Sequence, residues 1–395
     1  MSIIGIPLAD CADEWIGQLA RATGAATLAK LDGATLLGER ATLAGFKIPG
    51  RISAGGGCQL YDACDDRIAL NLSRETDREL LPALFEVESF DTSDSHLIAT
   101  HVARCDATTL LARGRLMGLA IAAEHESTTS NANACDELIS GTSRNKPLHT
   151  RPRVIDLSAL WAGPLASHLL WLAGAEVIKV ESRTRPDAMR DGDQTFYALL
   201  NQGKASVALN FADHNDRQVL QALIADADVV IEAARPRAVL QLGIDAAQIV
   251  CSNPGLIWLT ITGHGATGDA ANAVGFGDDC GVAGGLSAAL REASGHSGFV
   301  GDAIADPLTG IYAANVAWRA WQSQQGGRFG IAMSRVVATA LAAARTRDHG
   351  QLNTSLHAWH QAQGQSFPSV QQRTITSVRN FGQDTHAYLA RTDAC

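Results

Sequence analysis

An α/β protein is predicted, with a mostly parallel, doubly wound, Rossmann-like sheet in a large domain and a smaller α+β domain before it. Three observations carry this. From residue 153 onward, short apolar strand patterns alternate with helical ones, which implies parallel strands joined by helical crossovers. A stretch over 126–152 is rich in Ser, Thr, Asn and Gly, with Leu138, Ile139 and Leu148 almost its only large apolar residues, the composition of a linker. And 395 residues are too many for one ordinary core.

The elements follow in order. Residues 1–125 offer a helix over Trp15–Ala22 and then Gly55, Gly56 and Gly57 ahead of a strand–turn–strand, Gln59–Tyr61 and Ile68–Leu72. A helix with capping signals is expected near Thr76–Phe85 and another over Ala107–Ala123. After the linker, the large domain is placed at 153–350. Its strands are Val154–Leu157, Val177–Val180, Ser206–Leu209, Asp228–Glu232 and Leu256–Ile261. Helices are read over Pro164–Ala173, stopped by Gly174, over Asp216–Ala225, and from Asp306 to Trp321. Residues 351–395 are read as a C-terminal extension. Ligands of such sheets gather beyond the carboxyl ends of the strands. That puts Ser158–Gly163, Glu181–Arg185, Glu232–Arg237 and Gly263–Gly265 on one candidate rim.

Composition narrows the function. The chain is 46% hydrophobic and 18% charged, with a formal charge of −9, which disfavours a nucleic-acid surface and suits a cytoplasmic enzyme. Its eight cysteines form no CxxC pair and no regular spacing, so reduced thiols are expected rather than a zinc site or a disulfide framework. The first residues lack a basic region followed by an apolar core, so no signal peptide is expected. The uncharged run from Leu157 to Ala175 is broken by Gly163-Pro164 and Ser167-His168 and reads as a buried strand–loop–helix, not a membrane span.

No GxGxxG follows the first strand, and GxxxxGK[ST] and GxSxG are absent, which removes nicotinamide, P-loop and serine-hydrolase chemistry from the motif evidence. His264, in Gly263-His-Gly265, is either a general base or a turn residue at the rim. Arg235 and Arg237 after a strand end can grip phosphates or form a solvated turn. Gly55–Gly57 is either a cover over a ligand or a flexible hairpin connection. Asp278-Asp279 reads as a capped turn rather than a metal pair, since no further ligand stands at the right spacing. Asp306-Pro307 reads first as a helix N-cap followed by Pro at the first helical position. A carboxylate there is expected to be held ionised by the free N–H groups and the macrodipole, and an ionised, positioned carboxylate can act as a covalent nucleophile.

Several segments in order resemble the family III CoA-transferases, which include formyl-CoA and carnitine CoA-transferases and the α-methylacyl-CoA racemases. Val154-Ile-Asp-Leu-Ser-x-x-x-Ala-Gly-Pro164 is similar to that family's opening strand and loop, and Leu172-Ala-Gly-Ala-Glu-Val-Ile-Lys-Val-Glu181 to its second strand. Asn201–Leu209, Ala227–Glu232 with Arg235-Pro236, Leu242-Gly243, Asn253-Pro254, Thr260–Gly263 and the Asp306 segment continue the run over about 152–345. Residues 51–85 resemble the family's small domain, and Phe381–Leu389 its terminal segment, so the order implies a circularly permuted member.

The resemblance implies an acyl-CoA:carboxylate CoA-transferase in which Asp306 forms an aspartyl anhydride and then an aspartyl-CoA thioester, under cover of Gly55, Gly56 and Gly57. It implies CoA contacts at Trp161, Ala162, Arg183, Arg185, Leu209, Arg235 and Arg237, with coenzyme A as substrate, no permanently bound cofactor and no metal. An interlocked homodimer is expected. Trp161 stands where the formyl-CoA transferases have a glutamine, which implies a bulkier or more apolar acyl site. The Gly-His-Asp segment of the racemases is replaced by Gly275-Phe276-Gly277, so a racemase would have to use His264 as its base. A non-catalytic acyl-CoA-binding relative is the third reading.

Overall fold

The computed structural model describes residues 4–126, 133–144, 150–234, 240 and 243–392. Ten strands form two sheets. The smaller sheet joins β1 (Cys58–Asp62), β2 (Arg67–Asn71) and β3 (Ala120–Ala123) as an antiparallel meander. The larger sheet holds β4 (Cys135–Ser143), β5 (Arg153–Asp156), β6 (Glu176–Ser182), β7 (Ala205–Leu209), β8 (Val229–Glu232), β9 (Ile257–Thr262) and β10 (Gln325–Ala332).

The order across the large sheet is β4-β10-β9-β8-β5-β6-β7, with every pair parallel except the β4 edge. Taken from β5, the six parallel strands run 3-2-1-4-5-6, the doubly wound order whose direction reverses between β5 and β8. Strand periodicity sorts the side chains into two layers. Val154, Val177, Val229, Ile231, Ile257 and Leu259 face one layer, packed with the helices Ala162–Leu172, Ala305–Ser323 and Met333–Gln361. Ile155, Ile178, Val180, Val230 and Trp258 face the other, against the helices His214–Ala225 and Ala246–Ser252.

The expected strands of the large domain appear within a residue or two of the sequence reading, but several boundaries change. The helices Ala9–Thr23 and Gly33–Ala44 bury Ile16, Leu19, Leu36 and Leu37 in the first layer of the large sheet, not with the small sheet. The small unit therefore begins near residue 51. Residues 126–152 are not only a linker, because β4 lies among them and pairs with β10 through two register shifts. The helix expected to reach Ala123 ends at Met117. Gly118, at φ 81, caps it, and Ala120–Ala123 turns back to pair with β2. The extension expected at 351–395 begins just past a break at Asp348 (φ −161, ψ 96) in the helical run Met333–Gln361, and its Leu352, Leu356 and Trp359 are core residues. No described helix is long and apolar enough to cross a membrane.

Two packing events set up the site. The small sheet buries one face on its own helices and lays the other, Cys58, Leu60, Ala69 and Ala122, on Val282, Ala283 and Phe299 of the large unit. At the end of β5, Asp156 is fully buried and accepts from Lys204 Nζ (2.9 Å) and from the Ser158 and Ser167 hydroxyls. Lys204 also donates to the carbonyl of Pro164 (2.9 Å), and Lys179 to that of Ser158 (2.9 Å). Burial alone would raise the Asp156 carboxyl, but Lys204 and then Lys179 hold it well below the ordinary carboxylate range. Burial likewise lowers the Lys204 ammonium to about 8, against the pull of Asp156. This network ties the loop after β5 to the start of the helix Ala162–Leu172. Lys204→Met strands part of a buried charge, so the expected cost is about 3–5 kcal/mol, read as a lowered midpoint in urea unfolding; an unchanged midpoint contradicts the pairing.

Candidate active site

The helix Ala305–Ser323 starts from a strained turn. Gly301 (φ 76) and Ala303 (φ 42) both take left-handed backbone, which a non-glycine residue adopts only under constraint. The constraint is visible: the Ala303 N–H donates to Asp278 Oδ1 (3.0 Å), and its carbonyl accepts the Asp306 N–H (2.9 Å). Ile304 is the N-cap, so Asp306 is the second helical residue and Pro307 the third, not the cap and first position that the sequence suggested. The side chain still lies in the first turn.

Asp306 points at a second helix start. The helix Ala162–Leu172 opens directly after the β5 loop, at the reversal point of the sheet, and its first N–H, that of Ala162, acts on the Asp306 carboxyl and favours its charged form. The two helices touch because Gly310 has no Cβ. A Cβ there would come within 2.8 Å of the Ala162 carbonyl and 2.9 Å of Leu165. Gly277 closes another side: its Cβ would lie 2.3 Å from both Asp306 Oδ2 and the Ala303 carbonyl.

The charges around Asp306 come from far apart in the chain. Asp278 and Asp302 flank it, and Asp302, fully buried, takes a forked pair of hydrogen bonds from Arg40, one of them Nε to Oδ2 at 2.7 Å. The Arg40 guanidinium also lies over the Trp161 ring, 4.8 Å from its centroid, and over Phe46 at 5.9 Å. Burial pushes the Asp306 carboxyl up to about 7; Arg40 pulls it down, Asp278 pushes it up, the Ala162 N–H pulls down and Asp302 pushes up. Asp278 rises to about 6, through burial and then Asp302, with Arg40 and the Ser53 hydroxyl opposing. The expectation that the helix start alone holds Asp306 ionised is therefore corrected: burial wins over the helix N–H groups, and the acid titrates near neutrality.

The glycine loop reaches this cluster. Gly56 takes φ 76, and a Cβ on Gly55 would lie 3.7 Å from Arg40 Nη2 and 3.9 Å from Phe46. Gly57 packs on Ser73 so closely that a Cβ would meet Ser73 Oγ at 2.1 Å. Beside Asp278 and Gly277 is a small recess of about 10 Å³, lined also by Gly281, Ser287, Phe299 and Ile304. That is room for about one water and not for a ligand.

Of the residues expected to touch CoA, Trp161 is buried edge-on to Phe196, and Ala162 meets Asp306 as above. Arg183 and Arg185 follow β6, one strand spacing (about 5 Å) from β5, and Leu209 ends β7, two spacings (about 10 Å) away, all along the same rim. Arg183 is exposed and donates from Nε to the Ala208 carbonyl (3.1 Å), Arg185 is exposed, and Leu209 is buried. Arg235 and Arg237 lie outside the described residues.

His264 does not join Asp306. It is 8% exposed, with Nδ1 3.4 Å from Arg115 Nη2 and Nε2 3.9 Å from Asp279 Oδ2. Burial, and then Arg115, depress it to about 3, so it is neutral at pH 7. Cys280 completes a buried His–Asp–Cys group, a neighbour set that the sequence spacing of Asp278-Asp279 did not reveal because the fold supplies the histidine. Asp279 does act as a cap, accepting the Phe276 N–H at 3.0 Å. Sequence reasoning missed Arg40, Asp302 and Gly277 as site residues. Arg40 and Asp302 are 262 positions apart, and no local pattern joins them.

Comparison with known proteins places the chain in a family. The model of CoA-transferase family III matches residues 152–372. The succinate–glutarate CoA-transferase of Agrobacterium fabrum is 31% identical over 214 residues, covering 50% of this chain and 54% of that protein. The human succinyl-CoA:glutarate CoA-transferase is 31% identical over 168 residues, covering 41% and 38%. The chain thus spans about half the length of the curated relatives it matches. A crystal structure of a Mycobacterium tuberculosis protein is 28% identical over 53% of this chain and 61% of that one, at a TM-score of 0.45.

Burial, then the neighbouring Asp278, raises the Asp279 carboxyl to about 8. A folded-state value above the unfolded one stabilises at low pH and is lost as pH rises through it. Asp279→Asn removes that loss while keeping an acceptor for Phe276. The melting temperature of the variant should therefore gain on the wild type between pH 5 and pH 8.5, by at least about 2 °C, the shift that about 1 kcal/mol produces in a large domain. Parallel melting curves across that range contradict the assignment.

Proposed function

The chain belongs to CoA-transferase family III, and from that premise we propose that it transfers coenzyme A from an acyl-CoA to a carboxylate, with Asp306 as the covalent nucleophile. One observation carries the reading. The Asp306 carboxyl stands between two helix starts at the reversal point of the sheet, with only the hydrogen of Gly277 against one oxygen. In such a place the carboxylate is only partly exposed to water, confined on one side by Gly277 and close to helix N–H groups.

The steps balance as follows. An ionised Asp306 oxygen attacks the thioester carbonyl carbon; the C–S bond breaks and CoA leaves as thiolate, giving a mixed anhydride. The thiolate then attacks Asp306 Cγ, releasing the donor acid as carboxylate and leaving an aspartyl-CoA thioester. The acceptor carboxylate attacks Cγ in turn, expelling the thiolate and forming a second anhydride. The thiolate takes the acceptor acyl group, and Asp306 is returned as carboxylate. Both intermediates are labile to water, and the Ser53–Gly57 loop, against Arg40 and Asp278, is the proposed cover. The bulk of Trp161 at the head of the helix favours an acyl group with apolar surface.

Arg183 and Arg185 supply cations along the rim for the nucleotide end of CoA. The interlocked homodimer is proposed from the family resemblance alone, since the recess beside Asp278 has room for about one water and is not the CoA cleft. The small sheet preceding the large one supports a circular permutation of the family order, and the described cysteines, all free, suit a cytoplasmic location. Proton abstraction at the α-carbon gains nothing from His264, which packs against Asp279, Cys280 and Arg115.

Incubation with an acyl-CoA and hydroxylamine should leave a hydroxamate on Asp306, located by peptide mass spectrometry. Asp306→Asn should abolish the adduct and lower transfer at least about 1,000-fold; full activity in that variant removes the mechanism. Because the nucleophile must be ionised, single-turnover acylation should rise with pH and reach half its plateau near pH 7; a rate that falls across that interval contradicts the assignment. Gly277→Ala, which drives a methyl group onto both Asp306 Oδ2 and the Ala303 carbonyl, should lower both acylation and the melting temperature; a variant that acylates at the wild-type rate contradicts this packing.

A further inference from the structure

Arg40 stands in the helix Gly33–Ala44, more than a hundred residues before the segment that matches the family model. Its helix packs in the first layer of the large sheet through Leu36 and Leu37. That packing carries the guanidinium across to a loop near residue 302. There it is the cation that acts most strongly on Asp306 among the described residues.

We infer that Arg40 is a positioning residue of this site, through which the N-terminal helix holds Asp306 in its reactive form and Trp161 in place. The inference rests on the proposed role of Asp306 and adds to it a residue that nothing in the matched segment supplies.

Three contacts support it. The fork to Asp302 leaves the guanidinium only one orientation, since both donors on that edge are engaged by a fully buried carboxylate. The stack on Trp161 presses on the residue that caps the helix whose first N–H reaches Asp306. That cap follows Leu160, a non-glycine residue at φ 68, so the loop needs outside support to hold its shape. And a Cβ on Gly55 would lie 3.7 Å from Nη2, so the glycine loop closes directly over the group.

The charges facing Asp306 give Arg40 its effect. From the helix Gly277–Ala283 come Asp278 and the thiol of Cys280, with Asp279 acting on Asp278. The turn before the helix Ala305–Ser323 contributes Asp302, and the helix Ala162–Leu172 contributes the Ala162 N–H. Acids outnumber bases, and burial also favours the neutral carboxyl. Arg40 is what opposes both. Burial would favour losing its own proton, but the hydrogen bonds and charge of Asp302 more than reverse this, so it stays charged throughout the working range.

The test reads Asp306 directly. The protein is labelled with ¹³C at aspartate Cγ, the Asp306 signal is assigned by its loss in Asp306→Asn, and its titration is followed by NMR. Arg40→Met should raise the midpoint by about one pH unit or more, the effect expected of removing an opposite charge at close range, and should move the pH profile of acylation by the same amount. Arg40→Lys keeps the charge and should restore most of the shift. Because Arg40→Met strands Asp302 and can unfold the chain, the double variant Arg40→Met/Asp302→Asn is measured too; a smaller shift in the same direction is expected. An Asp306 midpoint that stays put in folded Arg40→Met or in the double variant overturns the inference, even if CoA transfer is intact. A shifted midpoint in a chain that transfers no CoA overturns the proposed function and leaves this inference standing.

Discussion

A carboxylate taken out of water loses several kcal/mol of hydration unless something replaces it, and here the fully buried Asp302 and the partly exposed Asp278 and Asp306 share one region with Arg40. Asp302 takes the fork of Arg40 for itself. Asp278 is left with the Ala303 N–H and the Ser53 hydroxyl, Asp306 with the Ala162 N–H, and both rise toward neutrality as a result. The remaining architecture can be understood as the means of placing these few partners. Under the proposed mechanism, a less buried Asp306 would be ionised but more hydrated and slower, and one buried without Arg40 would be held protonated. The observed balance lies between those limits.

Neither unit of the fold makes this arrangement alone. The doubly wound sheet delivers the start of the helix Ala162–Leu172, and the buried Asp156–Lys204–Lys179 network holds the loop in front of it. The helix Ala305–Ser323 packs across it at Gly310 and sets the direction of Asp306. The small sheet docks on Val282, Ala283 and Phe299, which brings the Ser53–Gly57 loop to the opposite side. Glycine is needed at 277 and 310 for close approach rather than for backbone freedom, since bulk at either would separate the groups that must touch.

The elements of the large sheet were legible because each strand is a short apolar run that needs no distant information, such as Val177–Val180 or Asp228–Glu232. β4 and β10 were not. Cys135–Ser143 is polar and nowhere fully buried, as an edge strand can be, and Gln325–Ala332 carries three glycines; the first owes its extended form to pairing with the second, and the second to pairing with both β4 and β9. The helix predicted over Ala107–Ala123 failed in its last turn because Ala-Ile-Ala-Ala suits either state and β2 offered it a partner. At the site, Asp306 and the glycine loop stood out from local chemistry and ordered motifs. The protonation of Asp306 did not, because that depends on burial and on charges from three other segments.

Taken by itself, the amino-acid order determined which short segments become strands and helices, the parallel doubly wound class, and the position of a carboxylate in the first turn of a helix. Those properties follow from periodicity and capping, which act over a few residues. Tertiary structure decided that Arg40 lies beside Asp302, that His264 joins Asp279 and Cys280 instead of Asp306, and that Asp306 titrates near neutral pH. The physical reason is range. Desolvation and Coulomb forces depend on distance in space, and no spacing along the chain reveals which charges folding will bring together.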